Sequence, residues 1–170
     1  YFDKHLNKTV ANCHKMPADR FEKRLSTVEE IMSDFNSLLS TLPSTTQVVL
    51  TVSPVRHTKD GMLENQVSKS TLRVAADIVS RRFENVHYFP AYEIMLDELR
   101  DYRFYGDDLL HPSTMAIDYI WQRFRATTIS QTVASVLDEV DAIQKSLLHK
   151  PFNSISESHQ KFQFKLQEKI

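Results

Sequence analysis

Asp108 stands three residues before His111 in the stretch Asp107-Asp108-Leu109-Leu110-His111-Pro112-Ser113. In a loop that leads into a helix, this spacing lets a carboxylate reach an imidazole nitrogen. The carboxylate then fixes the ring's tautomer and stabilises the imidazolium formed when the histidine takes a proton. Such a pair is two thirds of a nucleophile-activating triad. The competing account of the same residues is a helix entry, with Asp107 or Asp108 capping the helix that follows and His111 lying on the surface.

Other residues could serve such a pair. Ser53 ends a predicted strand, the place where open α/β sheets hold ligands. Pro54 follows it and lacks the backbone N–H that often contacts an oxyanion. Ser53 therefore reads as a turn-stabilising or substrate-contacting serine ahead of a nucleophile. Arg56 and His57 lie just beyond the same strand end. The arginine fork can clamp a substrate carboxylate or phosphate, or pair within its loop with Asp60 or Glu64. The Asn12 amide can donate into an oxyanion hole or hydrogen-bond a structural turn. Cys13 and His14 are adjacent rather than spaced as zinc ligands are, so no metal is expected, and no cofactor either. Cys13 suits a small buried hydrophobe. Arg100, Tyr102, Arg103 and Tyr105 interleave bases with aromatics, but Asp97, Glu98, Asp101, Asp107 and Asp108 surround them. A buried Arg–Asp network that sets the pose of His111 fits this mixture better than a nucleic-acid surface.

Bulk properties narrow the setting. A net charge of −1 over 170 residues gives no electrostatic reason to expect a nucleic acid or an anionic membrane. The length suits one domain with an appendage. One cysteine excludes an internal disulfide and fits a reducing, cytoplasmic compartment. No apolar run is long enough to span a bilayer, and Tyr1-Phe2-Asp3-Lys4-His5 has no signal pattern. Lacking an initiator methionine, the chain reads as a piece of a longer protein. With only 2 glycines, Gly-rich phosphate loops and a turn-dense all-β fold are disfavoured.

The elements that must position these residues follow from periodicity. Residues 1–16 read as irregular or partly extended, and Met16-Pro17-Ala18-Asp19 opens a helix. Ser26 with Glu29 forms a capping box for a second helix, whose stripe runs from Val28 through Phe35 to Leu42. Residues 47–53 read as a buried parallel strand and residues 86–89 as another. Between them a helix runs from about Val67 to Phe83, with Leu72, Ala75, Ala76, Val79 and Phe83 inward. Residues 92–99 look helical. After Pro112, Ile117, Ile120, Trp121 and Phe124 share a face that reads as core. Strand, helix, strand and helix in this order predict an α/β fold with a right-handed crossover. The stripe Val133, Val136, Leu137, Val140, Ile143, Leu147 and Leu148 marks a long amphipathic helix, and Phe152 to Ile170 a last, more polar one. The chain thus divides into an α/β body, 1–127, and a helical extension, 128–170. The extension packs on that body or forms a homodimer.

Several segments together resemble the GSCFA family, itself similar to SGNH-type hydrolases. They are Val10-Ala11-Asn12-Cys13-His14-Lys15, Thr51-Val52-Ser53-Pro54-Val55-Arg56-His57, Asn65 to Leu72, Tyr88-Phe89-Pro90-Ala91-Tyr92-Glu93, and Leu99 through Tyr105 to Asp108-Leu109-Leu110-His111-Pro112. The resemblance implies a flavodoxin-like three-layer α/β/α sandwich, present here in part. It implies an ester hydrolase acting on a small-molecule or glycan ester, with Asp108 orienting His111 and His111 acting as base toward a serine. The Gly-Ser-Cys-Phe-Ala segment that names the family does not occur in this chain, so the nucleophile is expected from outside it. A second reading keeps the same fold as a non-catalytic binding or assembly module built on the α/β remnant and the terminal helices.

Overall fold

The β-branched run after Gln47 forms β4 (Val48–Leu50), which pairs in parallel with β5 (Val86–Tyr88) in register Val48↔Val86. This is seen in a computed structural model that describes residues 1–11, 15–153 and 155–169. Parallel neighbours need a crossover, and α2 (Met62–Arg82) supplies it. The fold is therefore mixed α/β, with small sheets and a helical C-terminal region. Contacts divide the chain into two units, Tyr1–Ile117 and Asp118–Ile170.

In the first unit, residues read as irregular or partly extended form a small antiparallel sheet together with Phe21–Glu22. Its order is β2 (Lys8–Thr9), β1 (Phe2–Asp3), β3 (Phe21–Glu22). Asp3 holds it together. It is 2% exposed and accepts from the Arg20 Nε and from the backbone N–H groups of His5 and Leu6. The helix expected from Met16 is only a short turn, Ala18–Arg20, because Phe21 leaves it to join β1.

Helix α1 (Val28–Ser40) starts one residue later than the Ser26–Glu29 reading placed its cap. Thr27 and Glu30 form the capping box, with Glu30 N–H donating to Thr27 Oγ1 at 3.2 Å and Thr27 N–H to Glu30 Oε2 at 2.9 Å. The Arg24 fork on the Glu30 carboxylate favours this register. Leu39 of α1, Val79 of α2 and Val86 of β5 form the core, with Phe35, Leu50 and Phe83 packed around it.

Helix α2 begins earlier than its apolar stripe suggested. Gly61 precedes it at φ 108, and a Cβ there would meet the Glu64 carboxylate, so this position needs glycine. The inward residues are Ala75, Ala76 and Val79, joined by Lys69 at 4% exposure. Leu72, expected inside, is 41% exposed.

After β5 comes α3 (Ala91–Glu93), which widens at once into a π turn, Ile94–Glu98. That turn buries Ile94 and Met95, and Leu99 after it is buried too. Helix α4 (Thr114–Thr128) buries Ala116 completely, while Ile117 and Trp121 stand exposed. Of the expected core face, Ile120 and Phe124 turn inward and Ile117 and Trp121 do not. The inward line is Ala116, Ile120, Phe124 at i, i+4, i+8, and the residue that goes deepest is the smallest.

In the second unit, α5 (Gln131–Leu148) is capped by Ser130 and α6 (Glu157–Gln167) by Ser156. Arg125 ties α5 by donating to Ala134 O at 3.0 Å and to Asp138 at 2.7 Å. Phe162 of α6 stacks against His159 and meets His149 edge-on. Among the described residues, no helix is long and apolar enough to cross a membrane.

Met95 is among the most deeply buried side chains, at 1% exposure. Met95→Ala should cost about 2–5 kcal/mol of unfolding free energy. Urea melts of the two proteins check this, and a loss below about 1 kcal/mol would show that the π turn closes over the gap.

Candidate active site

The carboxylate of Asp108 does two jobs with its two oxygens. Oδ1 accepts from the backbone N–H groups of Leu110 (2.9 Å) and His111 (3.0 Å). Oδ2 lies 2.6 Å from His111 Nδ1. Three donors converge on one charge, and they hold the Asp108 carboxyl at about 2. The His111 backbone N–H is the largest cause, then the imidazole, then the Leu110 N–H. The group is thus fully ionised at neutral pH, so the shared proton rides on Nδ1. When the ring is neutral its lone pair is then on Nε2, the nitrogen a general base would use. Asp108 does not cap α4. Ser113 does, with its Oγ accepting from Ala116 N–H at 3.4 Å.

The loop that carries the pair is closed on itself. Gly106 N–H donates to His111 O at 2.8 Å, Leu109 N–H to Gly106 O at 2.9 Å, and Ser113 N–H to Phe104 O at 2.7 Å. Closing so tight a loop puts Leu109 at φ 57, a left-handed conformation uncommon for a bulky residue. Strain of this kind costs on the order of 1–3 kcal/mol and persists only where surrounding contacts enforce it.

Arg56 supplies such contacts from the segment after β4. Its backbone N–H donates to Leu110 O at 3.1 Å. Its Nη1 reaches Leu109 O at 3.4 Å, and its guanidinium lies 4.2 Å from the Tyr105 ring centroid. The alternative ion pairs with Asp60 or Glu64 are not formed: Asp60 pairs with Lys23 instead. The end of the strand and the histidine loop are thus joined through one arginine, a link the sequence did not announce. Tyr105 and Leu109 are the partners that spacing alone missed.

The other expected residues scatter around this centre. Ser53 Oγ accepts from Val55 N–H at 3.2 Å, which makes it a turn-stabilising group. His57 N–H donates to Asn65 Oδ1 at 2.8 Å. Ser53 and His57 line a cavity with Lys69. Among the described residues, no serine hydroxyl bonds to the ring of His111. Asn12, Cys13 and His14 lie outside the described residues.

Among the described residues, Arg100 and Arg103 form surface ion pairs in place of the expected buried Arg–Asp network. Arg100 pairs with Asp97 at 2.9 Å and Arg103 with Asp101 at 3.8 Å, all four side chains being more than half exposed. Pairs so solvated contribute little. They brace their own turns, because i,i+2 and i,i+3 neighbours are the first acids these arginines meet. Among the described residues, no group of three or more His, Cys, Asp or Glu is placed to hold a metal ion.

The GSCFA family matches residues 1–124, and the GSCFA domain protein, C-terminal domain, matches residues 140–170. No curated protein and no solved structure matches the chain.

Two measurements check the loop. A carboxyl depressed in the folded state stabilises the loop above the ordinary carboxyl value of 3.8, and this is lost as the pH falls through about 2. The amide shifts of Leu110 and His111 should therefore titrate with a midpoint near about 2, and a midpoint at 3.8 would refute the triple contact. Arg56→Ala should speed amide exchange at Gly106 by about two- to fivefold, the worth of an exposed cation–π contact. Unchanged exchange would mean the loop holds its own shape.

Proposed function

Given that the chain belongs to the GSCFA family, we propose that it carries the acid–base half of an SGNH-like serine ester hydrolase. The observation that supports this most directly is the 2.6 Å contact between Asp108 and His111 Nδ1, which leaves Nε2 turned to other work. The parallel β4–α2–β5 crossover then belongs to a flavodoxin-like sheet, with the histidine loop beyond the strand ends.

In this reading His111 Nε2 takes the proton of a serine hydroxyl as the serine Oγ attacks an ester carbonyl. The imidazolium returns that proton to the departing alkoxide when the carbon–oxygen bond breaks, which leaves an acyl-serine. Water repeats both steps and frees the acid. Asp108 stabilises the imidazolium throughout and cannot take its proton, since its carboxyl sits at about 2. The serine comes from outside this chain. Asn12, or backbone N–H groups, hold the oxyanion. The substrate class is an acyl or acetyl ester on a sugar or lipid-like alcohol, taken as a small molecule or glycan. Arg56, whose guanidinium is spent on Tyr105 and Leu109, acts as a positioning residue.

A second reading is a non-catalytic assembly module. It is favoured by the exposed apolar stripe of α5, where Val133, Val136, Val140 and Leu147 all face solvent, and which would suit a homodimer.

A serine-directed fluorophosphonate on the intact protein separates the two. The hydrolase reading expects labelling, slowed by about 10²–10⁴ in His111→Ala and also slowed in Asp108→Asn. A folded protein that resists the probe, and sediments as a dimer broken by Val136→Glu, would support the module instead.

A further inference from the structure

The buried residues of α2 are Lys69, Ala75, Ala76 and Val79, and the first of them is a lysine. Lys69 is 4% exposed. Its Nζ donates to the Ser53 carbonyl at 2.5 Å and lies 5.9 Å from the Tyr92 ring centroid. Both partners are neutral. Among the described residues, no carboxylate reaches it. Burial alone pushes the ammonium below its ordinary value, with no opposing charge to raise it. An ammonium has three N–H donors, and one is met by a protein acceptor. A cation buried without a counter-charge works against folding, so its place among otherwise apolar buried residues calls for a reason.

A cavity of about 400 Å³ opens beside it. Phe35, Leu50, Val52 and Leu72 form an apolar wall, while Ser53, Ser68 and His57 supply polar edges. Ser53, His57 and Leu72 are exposed, so the cavity has a mouth. It lies past the end of β4, on the side where parallel sheets take ligands.

We propose that this cavity binds a carboxylate that carries a short apolar tail, with the Lys69 ammonium as its counter-charge. A single cation with two spare donors suits a monoanion. A phosphate dianion would want arginine forks or a row of backbone amides, which this cavity does not offer. The wall beyond the lysine is hydrocarbon, so the rest of the ligand is apolar. Lys69 then supplies in the complex the ion pair that it lacks in the free protein. The site goes beyond the ester-hydrolase reading, because it requires binding and no turnover.

Octanoate is the probe, added to the 170-residue chain with Lys69 followed by its side-chain NMR signals. Octanoate should bind saturably, move the Lys69 signals and raise the pH at which they titrate. Octanamide, equal in shape and uncharged, should bind at least about tenfold more weakly. Lys69→Met should lose octanoate by a similar factor while melting no lower than the parent, since methionine fills the same space without a charge. Equal affinity for octanoate and octanamide overturns the site. So does octanoate binding that leaves the Lys69 signals unmoved, or no binding at all. These outcomes are independent of serine labelling, so either idea can fail without the other.

Discussion

The structure around the candidate site depends on one carboxylate being surrounded by its own loop. Asp108 gathers two backbone amides and one imidazole within 3.0 Å. Each contact makes the others stronger. The amides fix the carboxylate in the plane where Oδ2 meets Nδ1, and the imidazole holds the backbone that presents the amides. Removing the charge would release the histidine and the turn together. The loop is thus a single cooperative unit, which is how a histidine that remains largely exposed can still have a defined tautomer.

That unit is tied to the sheet at one place. The backbone leaving β4 passes Val52, which is buried, turns at Ser53-Pro54, and delivers Arg56 against Tyr105 and the carbonyls of Leu109 and Leu110. The same turn sends the Ser53 carbonyl the other way, to Lys69. One short segment therefore serves two neighbours through two cations. The planar, stacking cation sits at the exposed loop, and the compact, more strongly hydrated one sits in the interior, the costlier of the two placements.

Much of this frame was legible in the sequence, because the signals were strong and local. The β-branched run at 48–52, the proline stops and the apolar stripe of α1 located β4, β5 and α1 to within a few residues, while α2 begins five residues earlier than its stripe suggested and the helix expected from Met16 is only a turn. The Asp108–His111 spacing marked the pair. What was not legible depended on partners distant in the chain. Arg100 and Arg103 carried the composition of a buried network, yet composition cannot tell a buried ion pair from a solvated one, and these remained at the surface. Trp121 was read as core because it shares a helical face with Ile117, Ile120 and Phe124; the helix instead buries Ala116. Tyr105 gained its role only once Arg56 was folded onto it.

Three positions that break local rules lie close to the candidate chemistry, while Asn7 and Lys15, also at positive φ, belong to the N-terminal segment. Leu109 takes a left-handed backbone in the histidine loop. Ile94–Glu98 winds as a π turn directly before the segment that leads to that loop, a geometry that recurs at functional sites because it shifts every following side chain around the helix. Lys69 is buried among apolar residues of α2. A sequence selected only for stability would place a smaller or straighter residue at 109, an ordinary helical turn at 94–98 and methionine at 69. Each departure costs the fold something, and each adjoins the end of β4 or the loop that it faces. In the readings proposed above, local conflict of this kind favours the strand end over the outer faces of the helices as the ligand-bearing region.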